Sequence, residues 1–137
     1  MTYSRYLAGT QLVCVDRAAL RGVVASPVLS AVPDAPAWLP GAFNHLGRAV
    51  AAIDAALLLG LGRATDPPAY LLLVEAPNGL LGLIAELEPD EVHSDATPRR
   101  GAVLELLDRS QDLLRIDLSV LEQRIEAALV DLTNPAL

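Results

Sequence analysis

Aromatic side chains make up only 4% of this 137-residue chain, lysine is absent, and there is one cysteine. Each shortage excludes something. With so few rings the core must be aliphatic, drawn from the Leu, Val, Ile and Ala that dominate the 53% hydrophobic content. Cys14 has no partner for an internal disulfide, and in the apolar stretch QLVCVD it reads as a buried, inert thiol. No apolar run approaches the roughly 18–20 residues that a helical membrane span requires, because glycines, prolines and charges cut each one short. The start, MTYSRYLAGTQLVCVD, has no basic region followed by a continuous apolar segment, so no secretory leader is expected and a cytoplasmic location follows. All positive charges are arginine, acids outnumber them, and the net charge is −7. A nucleic-acid partner, which demands a basic face, is therefore not expected.

What remains is a series of short apolar segments about ten residues apart with turn residues between them, a spacing that favours strands over long helices. SRYLAG and QLVCVD form a hairpin about Gly9 and Thr10. Asp16 to Leu20 fits one helical turn before RGVVASPVL resumes an extended run. VPDAPAWLPG, with Pro33, Pro36 and Pro40, lacks the donors of a central strand and is expected as an ordered loop pinned by Trp38. GAFNH and RAVAAID read as strands around a tight Leu46–Gly47 turn. AALLLGLG suits a short helix capped by Asp54 and stopped at Gly60 or Gly62. In PAYLLLVEAPNGLLGLIAEL, strands flank Pro77-Asn78-Gly79, and Asn-Gly is a strong hairpin signal. EPDEVHSDATPRRG is polar and is expected as a surface connection. AVLELLD and DLLRIDL make a last hairpin about Arg109-Ser110-Gln111. SVLEQRIEAALVDL then places Leu118, Leu121, Ile125, Ala128, Leu129 and Leu132 at helical spacing, with Ser119 and Glu122 as a capping box. Arg48 to Asp54 and Gln111 to Asp117 echo each other, both ending a strand in Ile-Asp before a helix. Two similar small barrels would explain that echo, and so would chance.

Candidate chemistry is sparse. His45 and His93 have no partner at metal-ligand spacing. A hydrolytic group built on His45 and Asp54 lacks a serine in a nucleophile-elbow context. Glu86, Glu88 and Glu91 read as a solvated rim at a strand end. Neither GLGRAT nor LAGT matches a phosphate-cradling glycine pattern. No catalytic, metal or cofactor site is specified. The apolar excess is the unusual feature: Leu71-Leu72-Leu73-Val74 and Leu80-Leu81 put apolar side chains on both strand faces. Either two packed subdomains cover those faces, or they are patches for other proteins.

In order along the chain, YLAGTQLVCVDRAALRGVV, VPDAPAWLPGAFNHLGRAVAAID, YLLLVEAPNGLLGLIAEL and LLRIDLSVLEQRI resemble the chemotaxis coupling protein CheW and its CheW-like relatives. The likeness spans almost the whole chain. It is most specific in the middle, where the family's Asn-Leu-Arg-Gly stands as Asn44-His45-Leu46-Gly47, after Trp38 and Gly41 and before Ile53-Asp54-Ala55. The resemblance implies a single CheW-like domain over residues 1–137, mainly β, with two SH3-like five-stranded barrel subdomains packed together, short helices and a C-terminal amphipathic helix. It implies a non-catalytic adaptor without cofactor, joining the cytoplasmic tip of chemoreceptors to the regulatory domain of a chemotaxis-type histidine kinase. Partner contact would involve Leu20, Gly41, Leu46 and Gly82, with Asn44 and Gly47 shaping the turn and His45 and Arg48 beside it. Three departures stand out: His45 replaces the motif's leucine, Leu46 its arginine and Ala51 the usual proline of the next strand. Leucine offers none of the fixed donors of a guanidinium, which points to a divergent array, such as one driving pilus-based twitching motility. The connection from Glu88 to Arg100 also looks short, and the strand usual before the last hairpin is hard to find. Two other readings stay open: a homo-oligomeric domain that has lost receptor coupling, and a ligand-binding protein or enzyme with His45 and Asp54 in a closed pocket.

Overall fold

The computed structural model describes residues 1–64, 66–96, 101–109 and 112–133. Eleven strands form two sheets among them. The N-terminal hairpin, β1 (Thr2–Ala8) and β2 (Gln11–Asp16), turns at Gly9–Thr10 with Ala8 opposite Gln11. A 3₁₀ turn at Arg17–Ala19 leads into β3 (Leu20–Ala25) and a two-residue strand, β4 (Leu29–Ser30). The proline-rich loop follows, and the half-buried Trp38 packs on the core beneath it. Next come β5 (Gly41–His45), β6 (Arg48–Ile53), the short helix α1 (Ala55–Leu58), β7 (Tyr70–Ala76) and β8 (Gly79–Ala85). The chain ends in β9 (Asp90–His93), β10 (Leu104–Asp108), β11 (Leu113–Ile116) and the helix α2 (Leu118–Thr133).

The first sheet has the order β10–β11–β2–β1–β9 and the second β3–β7–β8–β6–β5–β4. The whole second sheet is thus inserted between the halves of the first. This agrees with the expected mainly β architecture and is compatible with two SH3-like subdomains, except that β4 gives the second sheet a sixth strand. Each sheet curls over its own apolar cluster. Val50, Ala52, Leu71, Leu73 and Ile84 fill the second, and Tyr3, Cys14, Leu107 and Leu113 the first. The opposite faces meet in a larger core, where Val13 and Val15 lie with Leu72, Val74 and Leu83. The alternation in Leu71-Leu72-Leu73-Val74 therefore has a structural meaning: odd residues fill one core and even residues the other.

The echo seen in the sequence is real in space. Ile53-Asp54 and Ile116-Asp117 each close a strand that pairs in parallel with a distant one, β6 with β8 and β11 with β2. Each aspartate caps the following helix. Asp54 Oδ1 accepts the N–H of Leu57 at 3.1 Å, and Asp117 Oδ1 accepts those of Ser119 and Val120 at 3.0 and 3.3 Å. The second cap corrects the Ser119–Glu122 expectation; the Glu122 carboxylate instead accepts the backbone N–H of Asn78 at 3.1 Å. Arg115 binds Asp16 through two hydrogen bonds of 3.1 and 3.2 Å, tying β11 to β2. Along α2, Leu118, Leu121 and Ile125 are buried in the shared core, whereas Leu129 is 38% exposed; the Leu132 side chain lies outside the described residues.

The other correction concerns EPDEVHSDATPRRG. Asp90–His93 is a strand that pairs antiparallel with β1, Val92 opposite Tyr3. Only Val92 turns inward, onto the first sheet's own cluster. The Arg5 guanidinium fastens the strand through Asp90 at 2.6 and 3.0 Å, and that contact holds the Asp90 carboxyl below its ordinary range.

Candidate functional site

The stretch that carries the most specific sequence pattern forms the β5–β6 hairpin. His45 pairs with Arg48, which leaves Leu46 and Gly47 as a two-residue turn. Both have positive φ, 52° and 84°, the geometry of a type I′ turn, whose twist matches that of the flanking strands. Asn44 supports it from within: its Oδ1 accepts the Gly47 N–H at 2.9 Å. Gly47 suits its place, since a Cβ is costly at such φ. Leu46 does not. The first position of this turn favours Asn, Asp or Gly, and a leucine held left-handed costs roughly 1–2 kcal/mol. The side chain recovers nothing by packing, being 91% exposed.

Around this tip the surface is apolar and weakly cationic. Phe43 and His45 share a face, with ring centroids 6.5 Å apart and planes inclined by 29°. Arg48 lies across from His45, is exposed, and has no ion pair among the described residues. Val28 precedes the Leu29–Phe43 pair and so sits toward the same end; it is 84% exposed. Between Ser30 and Arg48 lies a shallow depression of about 230 Å³ floored by Ala42 and Ala49. Residues 26–53 contain one acid, Asp34, in a chain of net charge −7.

The structure divides the expected partner-contact residues among three places. Asn44, His45, Leu46, Gly47 and Arg48 stand together at the tip. Gly41 and Gly82 are buried, joined through Ala52 in one row across the second sheet. A Cβ on Gly41 would lie 2.7 Å from the Ser30 carbonyl oxygen, and one on Gly82 would lie 2.8 Å from Leu71 Cδ1. These glycines let a strand and a side chain close over them; they shape the sheet from beneath and offer no side chain to a partner. Leu20 is half-buried on the shared core, beside Val23, Arg17 and Glu88 in a second depression of about 210 Å³. Val28 went unnoticed in the sequence, where a lone valine after Ser26-Pro27 carries no periodic signal.

His45 and Asp54 are not brought together. Six residues of extended chain, about 20 Å, separate Asp54 from Arg48, and both Asp54 oxygens are engaged: Oδ1 caps α1 and Oδ2 accepts the Ala64 N–H at 3.2 Å. Asp54 is buried, and its own N–H donates to the Trp38 carbonyl at 2.8 Å. His93 lies far along the other sheet, within hydrogen-bond distance of the Thr2 hydroxyl. No cluster of potential metal ligands occurs among the described residues, and no described helix is long and apolar enough to cross a membrane.

Two curled sheets sharing a core, with an exposed leucine raised on a tight hairpin, define a two-sheet β domain. The chain belongs to the CheW-like domain family, whose profile matches residues 5–115. That family is one of non-catalytic scaffolds that work in chemotaxis signalling. Among solved structures it is similar to the scaffolding protein TtCheW from Thermoanaerobacter tengcongensis, with 20% identity and a TM-score of 0.70 over 88% of this chain and 90% of that one. No curated protein sequence matches it closely.

Proposed function

We propose that this domain is a cytoplasmic adaptor that couples chemoreceptor tips to the regulatory domain of a histidine kinase by binding alone, with Leu46 as its anchor. The observation that supports this reading is the conformation of Leu46, left-handed and 91% exposed. Neither property serves the fold, and both are consistent with a side chain kept for a partner. Since leucine stands where the family motif has arginine, the contact is apolar here, with Val28 beside it and Arg48 at its rim. Such a partner surface differs from one built to receive a guanidinium, which suits a divergent array, including one controlling pilus-driven motility. Residues 1–137 act as one unit in this reading, because the central core draws on both sheets.

The test is capture of the host's chemotaxis-type kinase regulatory domains and receptor tips by wild type, Leu46→Arg and Leu46→Asp. Binding by wild type that Leu46→Asp abolishes is expected. Failure to bind either partner, together with a stable dimer in solution, overturns the coupling role and leaves self-association as the use of this surface.

A further inference from the structure

A second exposed turn carries chemistry that the adaptor role does not use. The chain contains three asparagines, and only Asn78 precedes a glycine. Pro77 and Asn78 form the β7–β8 turn, closed by the Ala76–Gly79 pair. Asn78 and Gly79 are both exposed, and an added Cβ on Gly79 would meet nothing within 4 Å, so the space beside its α-carbon is open. The turn also rests on α2: the Asn78 N–H donates to Glu122 Oε2 at 3.1 Å, and its Nδ2 donates to Glu126 Oε1 at 3.5 Å. Two carboxylates one turn apart thus hold Asn78, Glu122 by its backbone N–H and Glu126 by its side-chain amide, on the helix whose other face, Leu121 and Ile125, seals the shared core.

We infer that Asn78 is a deamidation site whose product unlatches α2. The backbone nitrogen of Gly79, having lost its proton to solvent, attacks Asn78 Cγ. The bond from Cγ to Nδ2 breaks, and the amide nitrogen leaves as ammonia with a proton from water. The resulting five-membered succinimide then takes up water at either carbonyl and opens to aspartate or isoaspartate. Gly79 favours the attack because no side chain obstructs its nitrogen. Asn44 is held differently: its Oδ1 is bonded to Gly47 and the next residue is His45. After conversion a third carboxylate faces Glu122 and Glu126. A donor on the turn has become an acceptor, and like charges at that range repel.

The experiment incubates the intact protein at mildly alkaline pH and follows residue 78 by peptide mass spectrometry, with melting recorded on the same samples. Aspartate and isoaspartate are expected to accumulate at 78 and not at 44, while Tm falls by about 1–3 °C. Asn78→Asp should reproduce the fall at once, and Glu122→Gln with Glu126→Gln should remove most of it. High salt should shrink it in the otherwise wild-type background, a readout independent of whether the glutamine variants fold. Persistence of Asn78 under conditions that convert a free peptide of the same local sequence overturns the inference, as does conversion that leaves Tm unchanged.

Discussion

Replacing Leu46 by asparagine should make the protein more stable and a poorer binder. In the folded state Leu46 is held at φ 52° with 91% of its surface in water. Asparagine adopts that conformation readily, and Asn-Gly is the preferred pair for this turn, so relief of roughly 1 kcal/mol is expected with no packing lost. For a domain of this size that raises Tm by about 3–5 °C. The same change removes an apolar side chain whose burial under a partner is worth about 1.5–3 kcal/mol, a loss of roughly 10- to 100-fold in affinity. Leu46→Ala separates the two effects, since it keeps the backbone cost and removes most of the apolar surface; it should weaken binding and leave Tm nearly unchanged. Scanning calorimetry and titration calorimetry on the same preparations read both quantities. Should Leu46→Asn melt at or below the wild type, the turn is not strained; should it bind as well, Leu46 is not the anchor.

Gly82→Ala should destabilise by about 1–3 kcal/mol, because the new methyl falls 2.8 Å from Leu71 Cδ1 and the fully buried Leu71 has nowhere to turn. Adding Leu71→Val should recover part of the loss in urea titrations, and a neutral Gly82→Ala refutes the packing argument. Tyr6 is buried in the shared core and its hydroxyl has no hydrogen-bond partner among the described residues. Tyr6→Phe is therefore expected to be neutral or stabilising by up to about 1 kcal/mol, and a loss of more than that means that the hydroxyl is bonded after all. Burial pushes the Cys14 thiol up to about 12 from 9.0. The folded state keeps the proton longer than the unfolded chain, so this contribution is intact below about pH 9 and is lost as pH rises toward the folded value. The denaturant midpoint of wild type should fall over that range more steeply than that of Cys14→Ala.

Three hairpins were legible because their turns are written in glycine or asparagine, while Ser110 and Gln111 of the expected fourth turn lie outside the described residues; α1 was legible from Asp54 before an apolar run, and α2 from its helical spacing. β9 was not. Its residues, Asp90-Glu91-Val92-His93, offer one inward apolar side chain, so no alternation can be counted; the strand is held by pairing with β1 and by the Arg5 guanidinium. β4 is two residues long and depends on Gly41 for room. At the start of α2 the sequence offers two capping residues two positions apart. The choice of Asp117 follows from where β11 ends, which is set by its pairing with β2, a neighbour in space that lies far away in sequence. The hairpin tip was readable as a turn and as a departure from a motif. That Gly41 and Gly82 lie beneath the surface was not, because burial of a glycine depends on what closes over it.

The nesting of one sheet within the other sets an order for synthesis. As the chain leaves the ribosome, β3 to β8 emerge as a continuous block able to curl over their own cluster. The β1–β2 hairpin, made first, brings Val13 and Val15 to the face that carries Leu72, Val74 and Leu83. The rest of the cover arrives last, when β11 slots beside β2, Leu114 against Val13, and α2 lays Leu121 and Ile125 across the seam. A chain that stops before α2 thus leaves part of that apolar face open, prey to aggregation or proteolysis.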